Sequence, residues 1–124
     1  MKLVYLAGPY RATTEWELLG NIRRAEALAL EVWRLGAACI CPHKNTAFLG
    51  GACDDAIWLA GDLEMLRRCD AVICTADWQR SAGSRDEVAM AKKLAIPVFS
   101  TIEELQIWLA NSASPGARAA VQLS

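Results

Sequence analysis

The stretch that decides the fold runs from Cys69 to Pro97 and reads CDAVICTADWQRSAGSRDEVAMAKKLAIP. It opens with the apolar run Ala71–Cys74, which is typical of a strand buried on both faces. The polar segment Thr75–Ser84 follows, and Arg85–Leu94 then has the apolar spacing of a helix. This order of strand, loop and helix is the building unit of a parallel α/β sheet.

The same unit recurs on both sides of this stretch. Three further apolar runs are predicted strands: Leu3–Ala7, Ala37–Cys41 and Pro97–Phe99. The capping boxes Thr14-x-x-Glu17 and Thr101-x-x-Glu104 predict the start of the first and last helices, and Gly36 predicts the end of the first. Gly61 is expected to interrupt the helical stretch before the third strand, so that a new helix begins at Asp62.

Alternating strands and helices predict an α/β fold, a flavodoxin- or Rossmann-like three-layer sandwich around a parallel sheet. We expect four strands, or five, in the order 2-1-3-4. Residues 1–110 form the single predicted domain, and the small, polar residues 111–124 form a predicted flexible C-terminal tail. Ligands bind such sheets where the strand order reverses, here between the first and third strands. The loop Gly8–Arg11 is therefore expected to face Thr75–Ser84 across one crevice.

Composition limits what this crevice can bind. The 124 residues suffice for one domain, and the net charge of −1 argues against a nucleic-acid polymer as partner. The five cysteines are an odd number without a C-x-x-C pair, which indicates reduced thiols in a cytoplasmic protein. The start of the chain has no signal-peptide pattern, and no apolar run approaches the ~20 residues of a membrane span. We therefore expect a small-molecule ligand and no membrane partner.

Glu87 is the first candidate for chemistry in the crevice. In the capping box Ser84-x-x-Glu87 its carboxylate would only bind backbone amides at a helix start. As a functional group it would attack an electron-poor anomeric carbon, or stabilise the oxocarbenium-like state of that carbon. Both interpretations are compatible with the spacing.

Asp62 and Tyr5 also have a structural and a functional interpretation. Asp62 follows a glycine, as an N-cap does, but a carboxyl with a raised pKa would donate a proton to a leaving base. Tyr5 on the first strand suits the core, whereas in a functional role its hydroxyl would orient Glu87.

The loops supply candidate binding residues. Ser81, Gly83 and Ser84 form either an anion cradle or an ordinary turn that ends in an N-cap. The other candidates on the crevice rim are Gly8, Pro9, Tyr10, Arg11, Asp77 and Trp78. Of these, the indole of Trp78 would stack on a base.

His43 is the only histidine and follows the second predicted strand. With Cys39 and Cys41 it is expected to share one strand face, and Cys53 would complete a zinc site. Structural zinc ligands usually pair at C-x₂₋₄-C spacing, so this site is the less favoured alternative. We expect His43 to face the ligand, and we expect no metal and no cofactor.

Four segments of the chain, taken in order, carry a resemblance. They are VYLAGPYR at 4–11, PH at 42–43, DLEMLRRCDAV at 62–72 and S-x-G-x-x-x-E at 81–87. Together they resemble the nucleoside 2-deoxyribosyltransferase superfamily, including its 2′-deoxynucleoside 5′-phosphate N-hydrolase branch. The resemblance implies a flavodoxin-like fold, an oligomer built from homodimers, and cleavage of the bond between a sugar and a nucleobase.

The resemblance also implies roles for single residues. Glu87 takes the nucleophile position, Asp62 that of the acid or base-contacting carboxylate, and Tyr5 that of the tyrosine near the nucleophile. Ser81 and Gly83 lie where the N-hydrolase branch holds the 5′-phosphate. The transferases tend to have aspartate at the position of Ser81, so the serine favours nucleotide substrates.

Parts of the chain depart from the family pattern. The segment Pro42–Asp54 matches neither branch clearly, and the family's extra C-terminal strand has no evident counterpart. Asn111 and Ser112 are weak candidates for the polar residue that a neighbouring subunit donates in the family.

The expected activity is cleavage of the N-glycosidic bond of a (deoxy)nucleoside or its 5′-monophosphate, by hydrolysis or by base exchange. A non-catalytic nucleotide-binding or sensor module on the same fold is the alternative. A lyase or phosphatase of another fold family is the third, less favoured interpretation.

Overall fold

The computed structural model describes residues 1–112, which form one sheet with helices on both faces. In chain order the elements are β1 (Leu3–Ala7), α1 (Glu15–Arg34), β2 (Ala38–Ile40), α2 (Pro42–Asn45), α3 (Asp55–Arg67), β3 (Ala71–Cys74), a 3₁₀ turn (Trp78–Arg80), α4 (Ala82–Lys93), β4 (Val98–Phe99) and α5 (Ile102–Ser112). Within these residues the sheet has four parallel strands in the order β2-β1-β3-β4. The predicted α/β fold and strand order are confirmed.

The two faces of β1 belong to two separate layers of the core. Val4 and Leu6 pack on the side covered by α1 and α5, where Leu105 of α5 is fully buried. Tyr5 and Ala7 pack on the side covered by α3 and α4. Because alternate residues of a strand point to opposite faces, Tyr5 is committed to the α3–α4 side.

The predicted capping boxes begin α1 and α5 at the expected positions. The Thr14 hydroxyl oxygen accepts a hydrogen bond from the Glu17 amide at 3.1 Å, and the Thr101 hydroxyl accepts one from Glu104 at 3.2 Å. Gly36 has a φ of +87°, the left-handed conformation that ends many helices after the last turn.

The second strand is shorter than predicted, and a helix follows it. Strand geometry ends at Ile40, and Pro42, whose fixed φ suits the first turn of a helix, begins α2. His43 therefore lies on a helix and not on the strand. The prediction that it shares a strand face with Cys39 and Cys41 is wrong.

One continuous helix, α3, replaces the two that were predicted around Gly61. A Cβ built on Gly61 would meet open space, and a single interior glycine weakens a helix by roughly 1 kcal/mol without ending it. The packing of Leu66, which is fully buried, holds the C-terminal part of this helix on the sheet. Asp62 is consequently an interior residue of α3, and the prediction that it begins a helix is wrong.

The fourth helix begins one turn earlier than predicted. The Ser81 hydroxyl oxygen accepts a hydrogen bond from the Ser84 amide at 3.2 Å, so Ser81 is the N-cap. Both serines fit an N-cap by sequence, and the burial of Ser84 inside the helix distinguishes them. The predicted capping box between Ser84 and Glu87 is wrong. The Glu87 carboxyl is therefore not needed to accept hydrogen bonds from backbone amides at the helix start.

The last helix continues through Asn111 and Ser112, the first two residues of the predicted tail. The rest of that tail, residues 113–124, lies outside the described residues, so the domain boundary stays a prediction. None of the helices within residues 1–112 has the length and apolar character to cross a membrane.

Candidate functional site

The ends of β1 and β3 lie close together and form the floor of the crevice. The Thr75 amide donates to the Ala7 carbonyl oxygen at 3.0 Å and extends the pairing of the two strands. A Cβ built on Gly8 would lie 2.6 Å from both Cγ2 and Oγ1 of Thr75. Only glycine therefore fits at this position without a shift of its neighbour.

His43 supports the loop that follows β1. Its ring nitrogen Nε2 lies 3.0 Å from the carbonyl oxygens of both Gly8 and Pro9. Because both partners are acceptors, Nε2 carries the proton and donates. Burial lowers the pKa of His43, which favours this neutral ring. Its contacts position the loop, and a direct contact with a ligand stays a prediction.

Asn21 of α1 holds the same loop from the other side, and the sequence reasoning missed it. Its Nδ2 donates to the carbonyl oxygen of Tyr10 at 3.0 Å, while its Oδ1 accepts a hydrogen bond from the Arg24 guanidinium. The Tyr10 hydroxyl accepts a hydrogen bond from the Phe48 amide at 2.8 Å. In the sequence, only one feature pointed to this role: Asn21 is a polar residue next to Ile22 on the buried face of α1.

The loop after β3 is fixed by its own side chains. The Thr75 hydroxyl donates to Oδ1 of Asp77 at 2.9 Å, and Arg80 pairs with the other carboxyl oxygen at 3.4 Å. Trp78 packs against the apolar cluster on the α3–α4 side. Asp77 and Trp78 thus contact the protein itself, and their predicted contact with a ligand stays a prediction.

Cys74 and Arg80 have the Cys-x₅-Arg spacing of cysteine-dependent phosphatases, a coincidence that the sequence reasoning overlooked. A nucleophilic cysteine needs a lowered pKa. Burial in the α3–α4 layer instead raises the pKa of the Cys74 thiol to about 12, with the Glu87 carboxyl adding to the effect. This thiol is therefore unsuited to attack phosphorus.

Three titratable groups meet under α3 and α4, as the sequence suggested. Glu87 lies on the second turn of α4, is 9% exposed, and interacts electrostatically with the Tyr5 hydroxyl and the Asp62 carboxyl. Burial raises its pKa to about 7; the Tyr5 hydroxyl opposes this shift, and Asp62 and Asp86 increase it. Burial also raises the pKa of Asp62 to about 6. The two carboxyls therefore titrate near neutral pH, where Glu87, with the higher pKa, holds a proton more often than Asp62.

Buried polar atoms without partners lie on the same side of the sheet. The Tyr5 hydroxyl, fully buried on β1, makes no hydrogen bond of normal geometry with any described residue, and its pKa is raised by burial and by Glu87. The Ser84 hydroxyl on α4 and the Trp58 indole N–H on α3 are likewise buried and unpartnered among residues 1–112. Such atoms are rare in folded proteins and commonly mark functional sites.

Two cavities of about 490 and 470 Å³ open beside the crevice. Pro9, Arg11 and Ser81 line the larger one, and both cavities share Arg24 and Arg80. Neither of these two cavities is lined by Glu87 or Asp62. The arginines give these cavities a basic lining, which sequence reasoning missed because their convergence depends on the two loops.

The predicted residues thus fall into three groups. Tyr5, Asp62 and Glu87 come together, and Pro9, Arg11 and Ser81 line the adjacent cavity. The supporting group holds the loops or the core: Gly8, Tyr10, His43, Asp77, Trp78 and Ser84. Of these, Asp77 also lines the smaller cavity. Gly83 is half-buried beside the Ser81 cap. Nowhere in the described part of the chain do three or more metal-ligating side chains form a group.

Comparisons with known proteins agree with the fold. A family model with the description "Domain of unknown function (DUF7768)" matches residues 2–101, and no curated protein matches the chain. A 2-deoxyribosyltransferase from the psychrotolerant bacterium Bacillus psychrosaccharolyticus is similar at a TM-score of 0.58 and 22% identity, over 77% of this chain and 69% of that one. A conserved protein from Enterococcus faecalis V583 is similar at a TM-score of 0.64 and 22% identity, over 79% of this chain and 61% of that one. The predicted likeness to the nucleoside 2-deoxyribosyltransferase superfamily is confirmed at the level of the fold.

Proposed function

The chain belongs to the family described as domain of unknown function (DUF7768), and we propose that it cleaves the N-glycosidic bond of a (deoxy)nucleoside or nucleoside 5′-monophosphate. The observation that carries the proposal is the interaction of the buried Glu87 with the buried Tyr5 hydroxyl and the half-buried Asp62 carboxyl. Nucleophilic glycoside cleavage requires an ionised Glu87 and a protonated Asp62. Because the pKa of Glu87, about 7, lies above that of Asp62, about 6, this reactive form is the minor of the two singly protonated forms and is most populated between these values. The fold shared with a 2-deoxyribosyltransferase is consistent with this chemistry.

In the proposed first step, a carboxylate oxygen of Glu87 attacks the anomeric carbon. A C–O bond forms, the bond from carbon to the base nitrogen breaks, and its electron pair goes to the base. Asp62 donates its proton to the leaving base, which departs neutral. Water, or a second base, then attacks the anomeric carbon and gives a proton to the Asp62 carboxylate. The C–O bond to Glu87 breaks, its electron pair stays on the Glu87 carboxylate, and both carboxyls return to their starting forms. The two steps use carboxyl groups and water, or a second base, and no other reactant.

The surrounding groups would orient the substrate. The Tyr5 hydroxyl, which has no other partner among the described residues, would donate to Glu87 and hold its carboxylate in the attacking position. The Ser81 hydroxyl and the first amides of α4 would bind a 5′-phosphate, because a helix start favours anions. Arg24 and Arg80 line both neighbouring cavities, against one acid in each, Glu17 in the larger and Asp77 in the smaller. Although Asp77 pairs with Arg80, arginines outnumber acids in both linings, which favours a phosphorylated substrate over a free nucleoside.

We also propose that the protein works as a homodimer or larger homo-oligomer in the cytoplasm. The exposed apolar side chains of the described residues support an oligomer, since several of them lie on the outer faces of α1 and α3.

The activity can be tested on a panel of deoxynucleosides, ribonucleosides and their 5′-monophosphates, with free base followed by chromatography. We expect base release, faster from a 5′-monophosphate than from its nucleoside. Ser81→Asp is a matched variant, because aspartate also caps helices but repels a phosphate, so it should reduce this preference. Addition of a second base would distinguish exchange from hydrolysis. Binding without any base release would reject the catalytic proposal in favour of a binding module.

The pH profile of base release should report the carboxyl pair. Glu87 must be ionised and Asp62 protonated, and their pKa values are raised to about 7 and about 6. We expect a bell-shaped rate with its maximum between about pH 6 and about pH 7. Asp62→Asn should slow the reaction and abolish the alkaline decline, leaving a rate that rises with pH as Glu87 ionises. A profile that stays flat from about pH 5 to about pH 9 would contradict these roles.

A further inference from the structure

Large apolar side chains recur along the outer face of α1. Four of them are exposed to solvent: Trp16 (83%), Leu19 (37%), Leu30 (48%) and Trp33 (53%). Arg23 and Glu26 lie between them, and the six positions follow one another at alternating steps of three and four residues. This is the spacing of the a and d positions in heptad repeats, which lie along one side of a helix. We name these six residues the α1 stripe.

The order of residues in the α1 stripe is self-complementary. From its N-terminal end it reads Trp, Leu, Arg, Glu, Leu, Trp. In an antiparallel helix pair related by a two-fold axis, a and d positions of opposite helices share each layer. Trp16 then lies level with the partner's Trp33, and Leu19 lies level with the partner's Leu30. In the central layers, Arg23 lies level with the partner's Glu26.

We propose that the α1 stripe binds a second copy of this chain as an antiparallel helix pair. The proposal does not depend on the activity proposed above. The charges select the orientation, because a parallel pair in register would place Arg23 beside Arg23 and Glu26 beside Glu26. Within one chain Glu26 already forms an ion pair with Arg23, at 3.0 Å, and a second one with Lys44 of α2, so the antiparallel pair would join two such clusters into one network. Two apolar layers on each side would shield that network from water.

The size of the stripe sets the expected affinity. A helix of 20 residues is about 30 Å long, so one helix pair buries an area at the small end of specific interfaces. Other exposed apolar residues, among them Phe48 and Ile57 near the start of α3, do not have this symmetric order. The α1 stripe is therefore the better fit to a second copy, and we expect a dissociation constant of micromolar order.

Sedimentation velocity over a range of protein concentrations tests the surface. We expect a monomer–dimer equilibrium, weakened at least about tenfold by Leu30→Glu and by Arg23→Glu. The triple variant Arg23→Glu/Glu26→Arg/Lys44→Glu should restore dimerisation, because it exchanges the charges, keeps their order, and removes the lysine that would repel the new arginine. Glu31→Lys is the matched control, since Glu31 is exposed on α1 outside the stripe and should leave the equilibrium unchanged.

Disulfide trapping tests the orientation in a Cys53→Ser background, which removes the exposed cysteine. A mixture of Leu19→Cys chains and Leu30→Cys chains should form a cross-linked dimer, whereas Leu19→Cys alone should not. In the antiparallel pair two copies of position 19 are 11 residues apart along the axis, about 16 Å, which a disulfide cannot span. A protein that stays monomeric at about 1 mM would overturn the proposal. The proposal would also be overturned if the substitutions in the α1 stripe left the dimerisation equilibrium unchanged while Ile57→Glu abolished the dimer.

Discussion

Glu87→Gln is expected to lower the rate of base release by at least about 1000-fold, because an amide cannot form the glycosyl ester. Glutamine keeps the size of the side chain and can still contact the Tyr5 hydroxyl. The measurement is initial rate of free base from the best substrate of the panel, with wild type and variant at equal concentration. Asp86→Asn is the matched control, since Asp86 is the adjacent exposed carboxyl and should retain nearly full activity.

The same substitution should stabilise the fold above neutral pH, which separates loss of chemistry from loss of structure. Burial raises the pKa of Glu87 from 4.5 to about 7, so between these values the folded protein holds a proton that the unfolded chain has released. The wild-type free energy of unfolding therefore falls by about 3 kcal/mol as the pH rises through this window. Glutamine removes this contribution but not that of Asp62, whose pKa is also raised, so urea unfolding at about pH 5 and about pH 8 should show a smaller fall in the variant than in the wild type. A Glu87→Gln protein that keeps its activity would reject the proposed mechanism.

Gly8→Ala is the second change with a large expected effect. Its Cβ would lie 2.6 Å from two Thr75 side-chain atoms, closer than unbonded atoms approach, so the ends of β1 and β3 must separate. We expect a loss of about 1–3 kcal/mol in the free energy of unfolding, measured by urea denaturation. Base release should fall as well, because the crevice floor moves.

The double variant Gly8→Ala/Thr75→Ala shows whether this clash is the cause. Removal of Cγ2 and Oγ1 leaves only the Thr75 Cβ, 3.1 Å away, so the double variant should lose less than the sum of the two single changes. Gly61→Ala is the control for a glycine with space around it and should stabilise α3 by up to about 1 kcal/mol. Additive effects of Gly8→Ala and Thr75→Ala would contradict this explanation.

The order of elements was predictable because it depends on local periodicity. The apolar run Ala71–Cys74 and the helical spacing after it made the unit recognisable without any tertiary information. The 2-1-3-4 strand order then followed from the general rules for parallel sheets. The same sheet rules brought Tyr5 and Glu87 to one place.

The errors arose where two local solutions are nearly equal in energy. Ser81 and Ser84 both suit an N-cap, and burial of Ser84 on the sheet decided between them. Gly61 is compatible either with a break between two helices or with one continuous helix, and packing on the sheet stabilises the continuous helix. Asn21 and Arg24 were missed for another reason, since their contacts form only after two loops have closed on α1.

The alternation of residues along β1 divides the core into two layers, which differ in the polar groups that they bury. On the side that Val4 and Leu6 face, the strands and the helices α1 and α5 form a cluster of buried apolar residues. The opposite side holds a phenol, a serine hydroxyl and an acid in surroundings that do not satisfy them. The apolar residues of both layers, among them Leu66 and Val72 around the polar groups, offset the cost of this arrangement. Substitutions of the polar groups should therefore reduce activity more than stability, whereas substitutions in either apolar cluster should reduce stability.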